Sequence, residues 1–245
     1  MENKRDLILL VETATELCSV ALSSNGKVIA QKVSREPRSH TSVLSVLTSG
    51  LLKDSNVKTN ELDAVAVSEG PGSYTGLRVG LSFAKGLCYA LSKPLISVGT
   101  LDTIASIALE NDKVKELIDN LGADNVIIVP MIDARRMEVY TACFSGKGKI
   151  ISQVEPLVVT QDSFDSLLAN KTLLFCGDGS PKVSSLLLSP NAKFIEIELL
   201  AHGMAKTAND KYIKKTFEDL AYFQPFYLKD FIAGKPKKDI LRPTL

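Results

Sequence analysis

The side chains that most often perform chemistry are sparse and scattered in this sequence. Its two histidines, His40 and His202, lie far from each other and from the cysteines at 18, 88, 143 and 176, so no metal-ligand spacing and no Cys–His or Ser–His pair is written into the chain. None of the cysteines forms a C-x-x-C pair, and each adjoins an apolar run, the setting of reduced core thiols. Ser73, Tyr74 and Thr75 offer hydroxyls, but no nearby histidine or paired carboxylate serves as base, and hydroxyls at a turn more commonly cap helices. Glu12 and Glu69 each close a strand, where they either face each other or, as strand-end carboxylates more often do, meet solvent.

The stretch SEGPGSYTGLRVGLSFAKGLCYAL places Gly70, Gly72, Gly76 and Gly80 around a strand-to-helix junction. Glycines there permit tight turns, and the free N–H groups of a helix start attract anions, so a phosphate site is one reading. The spacing fits neither phosphate fingerprint: Gly76 is followed by Leu77-Arg78 where a P-loop needs Lys-Ser/Thr, and Gly70-Pro-Gly72 reaches Gly76 one residue late for G-x-G-x-x-G. No acidic residue closes the following strand PLISVG, where a dinucleotide site would hold a ribose. The other reading is packing. Gly72, Gly76 and Gly80 fall four apart and strip side chains from one line, along which a neighbouring segment can approach closely, and this is the better supported of the two.

The elements that must position these residues follow from periodicity. LILLV, CSVALSS and KVIAQKV read as three strands, with Asn25-Gly26 supplying the positive φ angles of a two-residue hairpin. Leu44, Leu47 and Leu51 mark a helix over 39–52, and DAVAVSEG is a buried strand leading into the glycine loop. Leu77, Leu81, Ala84, Cys88 and Leu91 predict an amphipathic helix ended by Pro94. After strand PLISVG and helix TLDTIASIAL the plan restarts. NVIIVPMIDA and MEVYTACF are strands joined through Ala134-Arg135-Arg136, TQDSFDSLLAN is a helix capped by Thr160, and KTLLFCG with GDGSPKVSSLLL repeats strand, glycine turn and helix. Two α/β lobes of similar plan are expected: 1–104, 105–214, and a return segment with tail at 215–245.

With 45% hydrophobic residues and a net charge of +1, the 245-residue chain can bury a large core and shows no extreme charge that demands or excludes a nucleic acid. From Ala205 onward there are nine Lys/Arg against five Asp/Glu, and Lys235, Lys237, Lys238 and Arg242 make a basic end expected to be a solvated terminus. No stretch approaches the ~20 apolar residues of a membrane span. The acidic Glu12 and Glu16 interrupt the first apolar run and the cysteines are unpaired, so a cytoplasmic protein is expected.

The combination of ETATELCSVAL, SEGPGSYTGLRVGLSFAKGL, MIDARRMEVY and FYLKD resembles the TsaB (YeaZ) family, partner subunits in the bacterial machinery that makes threonylcarbamoyladenosine in tRNA, and the resemblance spans nearly the whole chain. It implies a two-lobed actin-like, sugar-kinase-like (ribonuclease H-like) fold. It also implies a non-catalytic role beside the transferase subunit TsaD, to which the ATPase TsaE docks and for which the synthetase TsaC supplies threonylcarbamoyl-adenylate. TsaD carries a metal-holding histidine pair after the equivalent strand; SVGTLDTIA, with Gly99 and Thr100, stands there in this chain, so no metal and no cofactor are expected. The turn Glu12-Thr13-Ala14-Thr15 lacks the glycine of nucleotide-binding relatives, which argues against independent ATP binding.

For the two helices, the resemblance implies pairing with TsaD, or with a second copy when the chain is alone. The expected interface residues are Leu44, Leu47 and Leu51 on one helix and Leu77, Leu81, Ala84 and Cys88 on the other. An inherited ligand loop of Glu12, Thr13, Gly70, Gly72, Ser73, Tyr74, Thr75, Gly76 and Arg78 would shape that interface, and tRNA would be reached through the complex. The alternatives are a glycoprotease-like peptidase acting through Ser73 or a metal, and an autonomous ATPase or kinase of the same fold using Asp133 and the Gly177–Ser180 turn.

Overall fold

The computed structural model describes residues 6–36 and 39–228. The basic end at Lys235–Arg242 and the last two residues of FYLKD lie outside them. The first lobe contains β1 (Leu7–Glu12), β2 (Cys18–Ser24), β3 (Lys27–Ser34), α1 (His40–Asp54), β4 (Ala64–Gly70), α2 (Tyr74–Leu91) and β5 (Leu95–Gly99). Two helices come next, α3 (Thr100–Glu110) and α4 (Asp112–Leu121). The second lobe contains β6 (Val126–Asp133), β7 (Glu138–Thr141), β8 (Phe144–Ser145), β9 (Glu155–Val158), α5 (Asp165–Leu168), β10 (Thr172–Cys176) and β11 (Ala192–Phe194), and the last helix is α6 (Ala205–Ile213).

The two sheets share one topology. The first is ordered β3-β2-β1-β4-β5 and the second β9-β7-β6-β10-β11, with β8 as an extra antiparallel partner of β6. In each, the central strand pairs antiparallel with its hairpin neighbour and parallel with the strand that returns through a helical connection. The alternation of side chains along a strand divides β1 between two cores. Leu9 and Val11 meet Leu44, Leu51, Leu81, Ala84 and Cys88 under α1 and α2, whereas Ile8 and Leu10 meet Met204, Ala205 and Ala208 on the opposite face.

Three sequence expectations change. Residues 100–110 form α3, whose Leu101, Ile104, Ala105 and Ala108 pack with Ile128, Ile132 and Leu174 of the second sheet, while residues 201–208 pack on the first sheet. The chain therefore crosses between the lobes twice, and a boundary at 104 with a second lobe running to 214 does not describe the cores. The helix expected over TQDSFDSLLAN shrinks to the four residues of α5; Thr160 hydroxyl bonds Asp162 and Ser163 inside a turn and caps nothing. GDGSPKVSSLLL yields only a 3-10 turn at Pro181–Val183.

Candidate functional site

The glycine loop folds onto the end of β1. Ser73 N–H donates to the Ala14 carbonyl at 2.7 Å, and the Thr13 hydroxyl donates to the Gly76 carbonyl at 2.9 Å. A Cβ on Gly72 would stand 2.6 Å from the Ala14 carbonyl oxygen, and on Gly76 or Gly80 it would overlap Thr13 itself. The close approach read from the four-residue spacing is therefore real, and the approaching segment is the 13–14 turn. Ser73 caps α2, its hydroxyl accepting from Gly76 N–H at 3.2 Å, as a turn hydroxyl should. Gly70 has φ +115°, and a Cβ there would stand 2.7 Å from the Phe226 carbonyl, so the returning chain needs a glycine at this point.

Glu12 overturns the expectation of a solvated or Glu69-facing carboxylate. It is wholly buried; Oε1 accepts from Ala14 N–H at 2.7 Å, and Oε2 has no partner. Burial pushes its pKa up to about 7 against the opposing pull of the Ala14 N–H, the Ser68 hydroxyl and the Thr13 N–H. Parallel pairing sets Val11 beside Val67, so the position on β4 that adjoins Glu12 is Ser68 and not Glu69. Burial raises the Asp102 pKa, and the Glu69 charge raises it further.

Six of the seven expected interface side chains belong to the lobe's own core. Leu44, Leu51, Leu77, Leu81, Ala84 and Cys88 are each at most 7% exposed, because the regular leucine stripe is the face that covers the sheet; Leu47 alone is part-exposed. The open faces of the same helices carry Val46 at 68% and Tyr89 at 83% exposure. Between the helices runs an apolar groove of about 520 Å³ whose walls include Thr41, Ser45, Thr75, Val79, Ser82 and Phe83. At its end Arg78 lies over the Tyr74 ring, 4.1 Å from the centroid, and donates from Nε to the Tyr227 hydroxyl at 3.1 Å. Tyr74, Thr75 and Arg78 line this groove. Val46 and Tyr89 lie off the stripe that the sequence marks, and the contact of Tyr227 in the FYLKD segment with α2 is not legible from local pattern.

In the second lobe, Asp133 and the Gly177 turn do come together. The Asp133 carboxylate is 2.6 Å from Lys182 Nζ, and Asp178 Oδ1 accepts from Asp133 N–H at 3.0 Å. Ser180 donates its hydroxyl back to the Gly177 carbonyl at 2.9 Å. The histidines stay apart: His40 Nε2 lies 3.0 Å from the Thr15 carbonyl and His202 Nδ1 lies 2.9 Å from Gln31 Oε1. Among the described residues no three His, Cys, Asp or Glu side chains gather to hold a metal, and no helix is long and apolar enough to cross a membrane.

The duplicated sheet order, with glycine turns at corresponding strand ends and α3 and α6 crossing between the cores, defines a two-lobed α/β protein of the actin-like class. Comparison with known proteins carries this further: the family model described as "TsaD: tRNA N6-adenosine threonylcarbamoyltransferase" matches residues 27–229, and the chain belongs to that family. Two curated relatives are named tRNA threonylcarbamoyladenosine biosynthesis protein TsaB. The one from Bacillus subtilis is 31% identical over 61% of this chain and 59% of its own length, and the one from Escherichia coli is 38% identical over 55% and 53%. The matched chain thus spans little more than half the length of these relatives. A solved structure from Pseudomonas aeruginosa, described as similar to peptidase YEAZ, superposes with a TM-score of 0.75 at 24% identity, over 91% of this chain and 100% of its own, and shares the fold.

Proposed function

We propose that this chain is a non-catalytic subunit in the formation of threonylcarbamoyladenosine next to the tRNA anticodon, pairing with a TsaD-type transferase through the outer faces of α1 and α2. The observation that carries this reading is the closure of the 12–14 turn. In an actin-like lobe that binds nucleotide, this turn must offer free N–H groups to phosphate. Here Ala14 N–H is held by the Glu12 carboxyl and the glycine loop lies directly against Thr13 and Ala14. An anion at this point meets a buried acid and a filled space.

The bare helix faces support pairing. Val46 and Tyr89 are exposed on these helices, and the groove between α1 and α2 is lined by a single charged residue, Arg78, a composition that suits an interface centre. Self-pairing when the partner is absent, docking of TsaE on the pair, access to tRNA through the complex and a cytoplasmic setting complete the proposal.

Co-expression with a TsaD subunit tests it. A stable heterodimer should elute, and the pair should modify tRNA from threonylcarbamoyl-adenylate where this chain alone transfers nothing. Val46→Glu and Tyr89→Glu should leave a folded chain that no longer pairs, whereas Leu44→Glu should unfold it. Retention of the heterodimer by both outer-face variants removes the proposed surface, and transfer by the isolated chain removes the non-catalytic role.

A further inference from the structure

Two hairpins in this molecule pass through two consecutive residues with left-handed backbone, and they do so with opposite chemistry. Between β2 and β3 these residues are Asn25, φ 50°, and Gly26, φ 76°, the pair that tolerates such angles best. Between β6 and β7 they are Arg135, φ 74°, and Arg136, φ 50°. Arginine has no short polar side chain to compensate a left-handed backbone, so this turn runs against local preference.

The surroundings impose it. Asp133 Oδ1 accepts from Arg135 N–H at 2.7 Å and from Lys182 Nζ at 2.6 Å, and Lys182 Nζ also donates to the Glu138 carbonyl. Asp178 in turn holds Asp133 N–H at 3.0 Å. The carboxylates beside the turn are thereby engaged in fixing its backbone and in neutralising Lys182. Both arginines are exposed, and the charge of Arg135 helps Lys182 hold the Asp133 pKa down. On its Asp178 side the turn comes near the first lobe, whose Glu16 raises the Asp178 pKa through its charge.

We infer that Arg135 and Arg136 form a binding site for phosphate oxygens, presented by a backbone held in its unfavoured form. A guanidinium is a planar fork of donors that matches phosphate in bidentate geometry. Disfavoured backbone that its surroundings over-determine gathers at binding sites. A turn needing only to reverse direction is served by Asn-Gly, as at 25–26. Two sources supply such oxygens, the backbone of a polynucleotide and a free nucleoside triphosphate. The inference goes beyond the pairing proposal and stands whether or not a TsaD subunit binds.

The test replaces the second turn's residues with those of the first, Arg135→Asn with Arg136→Gly, in the full chain. Thermal unfolding, anisotropy of a labelled tRNA transcript over a salt series, and calorimetry with ATP are then compared with the parent chain. The midpoint should stay or rise, affinity for at least one probe should fall about tenfold at low salt, and an RNA salt slope should drop by up to about 2 for two lost phosphate contacts. Loss confined to RNA assigns a polynucleotide site, and loss of ATP binding assigns a nucleotide site. Arg135→Gln with Arg136→Gln keeps a polar side chain without the charge and must lose the same affinity. The inference fails if the parent chain binds neither probe, if either double variant keeps both affinities, or if the Asn-Gly turn lowers the midpoint by several degrees.

Discussion

The same strand order in the two lobes leads, after the fourth strand, to two different structures. Beyond β4 the chain passes the glycine loop and forms the 18-residue α2, whereas beyond β10 it passes Gly177 and forms a 3-10 turn of three residues. The reason is local. The first segment carries a stripe of Leu77, Leu81, Ala84 and Cys88 with no proline before Pro94, whereas the second opens on Pro181, strings serines at 184, 185 and 189 and reaches Pro190. The lobes differ in role accordingly. The first has two long helices with open outer faces, and the second has compact turns that pin Asp133 and the arginines of the β6–β7 turn.

If the glycine loop serves to bring α2 against the β1 turn, a side chain there should break the first lobe more severely than loss of the corresponding contacts breaks the second. Gly76→Val drives a branched side chain into the Thr13 carbonyl. It should cost about 3 kcal/mol or more, the range of severe overpacking in a close-packed site, read as a drop in the urea midpoint. A loss below about 1 kcal/mol would mean that the contact relaxes freely and that the loop has room for something else.

The next largest effect concerns Glu12, for which the second lobe has no buried counterpart: β6 ends in Asp133, which is exposed and paired with Lys182. A carboxyl whose folded pKa is about 7 and whose ordinary value is 4.5 keeps its proton in the folded chain after the unfolded chain has released it. Its contribution to stability is therefore greatest below about pH 4.5 and declines as pH rises toward about 7, by roughly 3 kcal/mol in all. Glu12→Gln should flatten that part of the profile, leaving the slopes of the same sign from Asp102 and Asp178, whose pKa values burial also raises. Parallel pH profiles for the two proteins would show that Glu12 is ionised in the fold and has a partner.

These two sites also show what was legible in the sequence. The four-residue glycine spacing announced a close approach, and the Asn25-Gly26 turn and the restart of the strand pattern announced hairpin and duplication, because each is a local signal. The identity of the approaching segment was not legible, since the contact between Thr13 and Gly76 joins residues 63 apart. Nor was the burial of Glu12, which depends on the loop that covers it. The leucine stripes are legible as stripes, and the face they mark is the one buried on the lobe's own sheet. Periodicity shows that a helix has an apolar face, and a sheet in the same lobe takes that face before any partner does. The helix expected over TQDSFDSLLAN shortens to α5 because Thr160, Asp162 and Ser163 bond one another in a turn ahead of it.

In the second lobe the corresponding effect is smaller. Lys182→Met removes the clip from Asp133 and from the Glu138 carbonyl while retaining most of the side-chain bulk. Because Asp133 is half-exposed and can rehydrate, the loss should be about 1 kcal/mol, the ordinary net value of such hydrogen bonds. Calorimetry that finds a loss as large as that of Gly76→Val would make the two turns equal supports and dissolve the contrast between the lobes.

The smallest expected change has the opposite sign and lies on the other side of α2. Gly86 is exposed, and no atom stands within 4 Å of where its Cβ would be, in contrast to Gly76 and Gly80 on the inner side of the same helix. Within the single chain it has no packing reason to be glycine, and a glycine in a helix interior is less favourable than alanine by up to about 1 kcal/mol. Gly86→Ala should therefore stabilise the dilute, unpaired chain by roughly 0.5–1 kcal/mol. The same methyl lies on the face that runs from Thr75 through Ser82 to Tyr89, where a partner helix packed closely against a bare backbone would collide with it. Measured on the co-expressed pair, the substitution should weaken assembly even as it strengthens the fold. A stabilised chain that pairs undiminished would move the partner off this stretch of α2. A destabilised chain would mean that the helix is held at Gly86 by a contact within the chain, and the division between its inner and outer glycines would fall.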